Sequence, residues 1–402
     1  MIDSIYLALS GMLGHERGLN VIGNNVSNMN TTGFRGSTVS FSDLFSGAPP
    51  NHLRDGRTTG EDAVGRGLAT PRTQIDLHTV QAQQTGRDLD LSLSGEGYFV
   101  VQDGSGAIRY TRNGAFEFDK NDELVLSGQD FKVMSRDGSG NLVPISLKGL
   151  ETSAARSTTE VTFNGVISSG NSAGDSDVTI RTLDVFDKTG NKHTVALKFS
   201  RDTSGPANGA VHWKMTVTEN DIEVGSGTLE FIGSQVAIGS SPLHVTLSLQ
   251  GTDPTDIAFN FDDVQAIAVG NSSTLAVQKQ DGFGTGTIAT ETFDAEGTLK
   301  ITYSNGQTAT GPKLALAQVS DDRGLVEIGN ALFAYQGTQS VAYREAADDL
   351  RVQAQSLEPS NVNLTSEFSQ LILMQRGYQA SSQVISTAND MMQQLLEMRG
   401  TR

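Results

Sequence analysis

The sequence predicts an α+β protein, mainly β. Discontinuous β domains fill the middle, and N- and C-terminal helices pair as a coiled coil. Three observations carry this. Apolar residues at both ends recur on a helical spacing, whereas those in the middle alternate between turn signals. All nine prolines lie between Pro49 and Pro359, so neither end contains one. Charge follows the same partition: residues 1–40 and 360–402 are each net neutral, so the whole −17 falls in residues 41–359. Like charge opposes close packing, so neutral ends suit packing against copies of the chain and an acidic middle suits water.

At the N-terminus Ile2, Ile5, Tyr6, Leu9, Met12, Leu13, Leu19, Ile22 and Val26 follow i, i+3, i+4, i+7 spacing. The run breaks at His15-Glu16-Arg17 and stops where Asn30-Thr31-Thr32-Gly33 supplies turn residues. Residues 1–42 and 359–402 are expected to form one terminal helical domain. The Gly/Arg/Asp/Thr-rich stretch 43–70 has weak periodicity and reads as an extended connector. Residues 71–150 and 286–358 read as a discontinuous inner β domain, with strands such as Tyr98-Phe99-Val100-Val101 and Asp130-Phe131-Lys132-Val133-Met134. Turns are marked by Asp103-Gly104-Ser105-Gly106, Arg112-Asn113-Gly114, Asp137-Gly138 and Asn305-Gly306. Residues 151–285 read as a separate outer β domain, entered and left through small, flexible stretches. There Trp213 is expected at a half-buried strand position.

The C-terminal pattern is the stronger helix. Leu364, Phe368, Leu371, Tyr378, Ile385, Met392 and Leu396 form a heptad-like seam. Asn363 is the expected N-cap, and Glu367 stands in the first turn, where the helix dipole favours an anion. With Leu9, Leu19 and Val26 of the first helix, these residues are the candidate assembly surface.

Several chemistries find no support. The acidic charge opposes nucleic-acid binding. The count of zero Cys removes disulfides, thiolate metal sites and cysteine nucleophiles. No apolar run reaches a membrane span. Met1-Ile2-Asp3-Ser4 does not open a Sec-type signal. Asp187-Lys188-Thr189-Gly190 matches the start of the phosphoacceptor motif of cation pumps, but Asn191 stands where that motif has Thr, and a hairpin turn explains it better. Gly282-Phe283-Gly284-Thr285-Gly286 is not followed by a Walker-type Lys. The six histidines are scattered, and Asp119-Lys120-Asn121-Asp122-Glu123 carries Leu124 where a calcium loop needs Gly. No catalytic residue, cofactor or metal site is expected.

Three blocks carry a family resemblance. The first is Ser10-Gly11-Met12, Leu19-Asn20-Val21-Ile22-Gly23-Asn24-Asn25-Val26-Ser27-Asn28 and Thr32-Gly33-Phe34-Arg35. The second runs from Gly86-Arg87-Asp88-Leu89-Asp90-Leu91 through Gly95-Glu96-Gly97-Tyr98-Phe99-Val100 to Tyr110-Thr111-Arg112-Asn113-Gly114-Ala115-Phe116. The third is Leu357-Glu358-Pro359-Ser360-Asn361-Val362-Asn363-Leu364, Glu367-Phe368 and Met374-Gln375-Arg376-Gly377-Tyr378-Gln379. Together they cover about half the chain, and the chain resembles the flagellar rod and hook protein family.

The resemblance implies a structural subunit that is exported by the flagellar type III apparatus without a cleaved Sec signal. It implies self-assembly into a curved tubular joint that transmits torque from rod to filament. The implied partners are other copies of the chain, the distal rod, a hook cap and hook–filament junction proteins. Length and the 151–285 insert point to the hook-forming members; a distal rod subunit is the nearer alternative. A secreted β-rich adhesin or polysaccharide-active protein is the more distant one, and it is weakened by the single Trp.

Overall fold

The computed structural model of the chain describes residues 2–45, 65–69, 72–168, 177–202, 210–267, 273–319, 324–346 and 350–400. It divides into two compact units. The first contains residues 1–148, 291–300 and 310–402; the second contains 149–290 and 301–309.

Two long helices belong to the first unit, α1 (Ile2–Ser27) and α2 (Leu364–Gly400). Asn363 caps α2 as expected: its Oδ1 accepts from the backbone N–H of Thr365 at 3.0 Å and of Ser366 at 3.2 Å. After α1, strand Ser37–Ser40 pairs antiparallel with Arg72–Ile75. Most of the expected connector at 43–70 lies outside the described residues. Its described ends, Asp43–Phe45 and Gly65–Leu68, are paired strands.

The β part of this unit is a ten-stranded sheet. Its main path runs Leu325–Gly329, Leu332–Tyr335, Ile108–Thr111, Tyr98–Gln102, Lys132–Arg136, Leu124–Leu126, Phe116–Phe118. Strands distant in the chain meet here: Leu316 pairs with Phe99, and Leu332 with Thr111. Tyr98, Val100, Tyr110, Met134, Ala317 and Phe333 fill one core. The Phe99 and Phe116 rings meet edge to face at 5.1 Å. Gly114 is required where its backbone presses on Leu91: Leu91 N–H donates to Gly114 O at 2.9 Å, and a Cβ on Gly114 would strike Leu91 O.

The second unit packs two sheets around one apolar core. One has the order Leu243–Leu247, Thr255–Ile267, Glu160–Ser168, Ala276–Gln280, with the middle pair parallel. The other is an antiparallel meander of Val178–Phe186, Lys192–Asp202, Ala210–Glu219, Ile222–Ile232 and Gln235–Val236. Period-2 alternation places Val195, Leu197 and Phe199 inside, with Met215 and Val217 from the neighbouring strand. Phe163 stacks on Phe261 with centroids 4.7 Å apart.

Trp213 departs from expectation. It is 1% exposed rather than half-buried, because both sheets close over it. The Asp187 turn is a hairpin turn, as expected. The Asp187 carboxylate accepts from the N–H groups of Thr189 and Asn191, each at 2.8 Å. Burial works to raise its pKa, but the hydrogen bonds from Thr189 and Asn191 outweigh it and hold the group well below the usual carboxylate range.

The two ends of this unit's longest excursion meet. Arg156 and Phe283 exchange both backbone hydrogen bonds at 2.9 Å. Asp281 Oδ1 accepts from Thr159 N–H at 2.8 Å and Glu160 N–H at 2.9 Å.

Candidate assembly site

The terminal helices lie antiparallel, and their opposed residues keep step. Asn25 meets Glu367, Gly18 meets Met374, His15 meets Gly377, and Gly11 meets Ser381. Successive steps of 7, 3 and 4 residues on α1 match equal steps on α2, which is the heptad rhythm of a coiled coil. Small residues make the contact close. A Cβ on Gly18 would sit 2.8 Å from Met374 Sδ, one on Gly11 3.0 Å from Ser381 Oγ, and one on Gly377 would run into the His15 ring. Ser381 turns its hydroxyl to Gly377 O of its own helix at 3.0 Å, so it can face α1 without an unmet donor. One more heptad along, Ala388 is 2% exposed.

The neighbouring side of α1 is also occupied. Gly67, at φ +96°, passes against Ser10, whose Oγ accepts from Leu68 N–H at 3.2 Å. A Cβ on Gly14 would meet the Phe41 ring at 3.1 Å. α1 therefore packs against both α2 and a β ribbon.

Of the predicted assembly residues, Leu19, Val26, Leu364, Leu371 and Ile385 are half-buried. Leu9, Phe368, Tyr378, Met392 and Leu396 are exposed in the single chain, Phe368 at 52% and Leu396 at 67%. The large apolar residues thus flank a seam made of small ones. Tyr6, Leu13, Ile372 and Leu373 add to the exposed apolar surface. In the same register, α2 beyond Asp390 has no α1 residue opposite it, and Met391, Met392, Leu395 and Leu396 stand exposed there.

Glu367 differs from its expected role. It is 8% exposed, and burial raises its pKa against the opposing hydrogen bond from Asn25. Glu367 keeps its place in the first helical turn, but there its carboxyl is buried, and burial disfavours the anion.

The helix pair is tied to the β sheet of the same unit by a buried three-residue clasp. Arg35, Arg112 and Glu358 are each at most 3% exposed. Glu358 Oε1 takes Arg35 Nη2 at 2.8 Å and Val80 N–H at 3.1 Å, and Oε2 takes Arg112 Nη1 at 3.3 Å. Arg35 also donates to His78 O, and Arg112 to Gly95 O at 2.6 Å. Burial lowers the Arg112 pKa, and Glu358 opposes the shift. The Arg112 guanidinium stands 5.5 Å from the Tyr98 ring centre. Gly33 N–H donates to Glu358 O at 2.8 Å, fixing the turn after α1 to the segment before α2.

Among the described residues no group of three or more His, Cys, Asp or Glu is placed to hold a metal. No helix there is long and apolar enough to cross a membrane.

Comparison with known proteins gives this geometry a family. Residues 5–35 match the family described as flagella basal body rod protein. Residues 92–168 match the flagellar hook protein FlgE/F/G D1 domain, and residues 353–398 the flagellar basal body rod FlgEFG protein C-terminal region. The flagellar basal-body rod protein FlgG of Bacillus subtilis is 34% identical over 193 residues, covering 47% of this chain and 72% of the relative. The chain belongs to the flagellar rod and hook protein family.

Two further family members span it almost end to end. The flagellar hook protein FlgE of Borreliella burgdorferi is 27% identical over 452 aligned residues, covering 99% of this chain and 100% of the relative. That of Escherichia coli is 27% identical over 415, covering 98% and 99%. The family is a structural one. Its three matched regions each contribute one member of the clasp: Arg35, Arg112 and Glu358. The sequence reading quoted all three residues within motifs but assigned them no contact. Gly11, quoted only within a motif, and Gly18, Ser381 and Ala388 were not assigned to the seam, although Gly11–Gly18 and Ser381–Ala388 are each one heptad apart.

Proposed function

We propose that this chain is the structural subunit of the bacterial flagellar hook, polymerising with its own copies into the curved tubular joint between rod and filament. The carrying observation is coverage. Hook relatives align with nearly the whole chain, whereas the rod relative accounts for about half of it. The organisation suits the role: the terminal helices carry the predicted assembly residues, and the β sheets occupy the chain between them. Distal rod, hook cap and junction proteins, and export by the type III apparatus, complete the proposed partners. Cells lacking the gene should show rods without hooks by electron microscopy. Hooks of normal length and number in those cells would reject the reading, and loss of the distal rod itself would favour the rod alternative.

The exposed end of α2 separates folding from assembly. Leu396 is 67% exposed, so Leu396→Asp should change the stability of the single chain by no more than about 0.5 kcal/mol. In a polymer that buries this end, the same charge costs several kcal/mol. Expected is a normally folded subunit that forms no tubes. Tubes at wild-type yield would remove this end of α2 from the assembly surface.

The outer domain can be removed with little strain, because residues 159–160 already lie beside Asp281. Deleting residues 160–279 should leave tube formation intact and alter curvature, since wet, charged surfaces exchange contacts at little cost. Normally curved hooks would show that this domain does not set the bend.

A further inference from the structure

The Glu367 carboxyl is placed as no solvent-facing helix carboxylate would be. It is 8% exposed, on the face of α2 that packs against α1. Oε1 accepts from Asn25 Nδ2 at 3.2 Å. Oε2 is buried with no hydrogen-bond partner among the described residues. Asn25 cannot turn away to change this. Its Oδ1 accepts from Ser37 N–H at 2.9 Å, and its Nδ2 donates to Ser37 O at 2.8 Å, so the amide is fixed by the strand behind it.

Among the described residues no cation pairs with Glu367. Arg35 and Arg112, the buried cations of the same unit, are committed to Glu358. Strand Ser37–Ser40 carries no ionisable side chain. Glu16 and Arg17 of α1 and Arg376 of α2 are exposed. His15, also on the α1 face, lies ten residues from Asn25, about 15 Å along the helix, against Met374. Among the described residues the carboxyl's hydrogen-bond partner is one neutral amide.

We propose that Glu367 is a proton-operated latch on the terminal helix pair: docking of α2 on α1 takes up a proton at this carboxyl, and ionisation loosens the pair. A buried carboxylate whose only partner is a neutral amide is costly, whereas the neutral acid is tolerated. Burial raises the folded-state pKa above the unfolded value. The stabilisation is therefore fully present below the unfolded pKa, near 4.3 for Glu, and is lost as pH rises through the folded value. Acid tightens the pair and neutral pH slackens it. In an exported subunit this would keep the helices separable in neutral solution until assembly holds them; that extension rests on the proposed function, while the latch itself does not.

Two optical signals in the full chain separate the parts. Among the described residues the α-helices are α1 and α2, so ellipticity at 222 nm reads the pair. The one Trp, Trp213, reads the second unit. Urea unfolding of the wild type should show the helix midpoint falling as pH rises from 4.5 to 7.5, relative to the Trp213 midpoint. Glu367→Gln, which keeps the acceptor for Asn25, should abolish that slope and lie above wild type at pH 7.5. Glu16→Gln should retain it. Calorimetric refolding in buffers of different ionisation enthalpy should show wild type taking up as much as about one proton more than Glu367→Gln, the capacity of one carboxyl. Should Glu367→Gln fail to fold, Glu367→Ala takes its place in both comparisons. A slope unchanged in the variant, or no difference in proton uptake between it and wild type, overturns the latch.

Discussion

Glu358→Ala should destabilise the first unit by about 3–5 kcal/mol, the scale set by removing one partner from a buried ion pair. Two guanidiniums depend on this carboxylate, and each lies in a site only 2–3% exposed. With Glu358 gone, neither can regain water without opening the unit, and Val80 N–H loses its acceptor as well. The loss is a large fraction of the 5–15 kcal/mol that holds an ordinary domain folded. Denaturation followed at 222 nm should show an early, broadened transition. The Trp213 transition should stay where it is, because Trp213 belongs to the other unit. A shift under 1 kcal/mol at 222 nm would show that the clasp is dispensable.

The second large effect is expected at Gly377. A side chain there meets the His15 ring, which itself is packed against Phe41 with centroids 5.8 Å apart. Gly377→Val should force the helices apart and abolish tube formation, since the close approach that carries the seam is lost. Gly23 is the matched control. It is helical, and nothing lies within 4 Å of the position its Cβ would take. Gly23→Ala should stabilise α1 by about 1 kcal/mol through helix propensity alone. Circular dichroism of the two variants should therefore move in opposite directions. Equal helix loss in both would mean that Gly377 is not a packing contact.

The sequence disclosed what periodicity can disclose. Helical spacing marked both terminal helices, Asn363 marked the start of α2, and alternation with turn residues marked the sheets. Other features were hidden for physical reasons. A seam sought through large apolar residues overlooks one built from Gly, Ser and Ala, where backbone proximity replaces side-chain bulk. That is why Phe368 and Tyr378 stand outside it while Gly377 and Ser381 lie within. Glu367 read as a helix-dipole anion because sequence shows its place in the turn but not its depth. The depth of Trp213 depended on a second sheet closing over its own, which no local pattern announces. The clasp was the hardest to see, since its members are charged residues that sequence statistics assign to the surface.

The clasp also sets an order of events. Arg35 and Glu358 are 323 positions apart, and Arg112 and Glu358 are 246 apart. A chain delivered progressively from its N-terminus carries both arginines long before their shared carboxylate arrives. Until then each guanidinium remains hydrated, because burial without a counter-charge is prohibitive. The chain end that brings Glu358 brings α2 directly after it, so the lock and the second helix become available together. Long-range closure of this kind is slow. Until Glu358 arrives the clasp cannot close, and α2, which follows it in the chain, is not yet there to pair with α1.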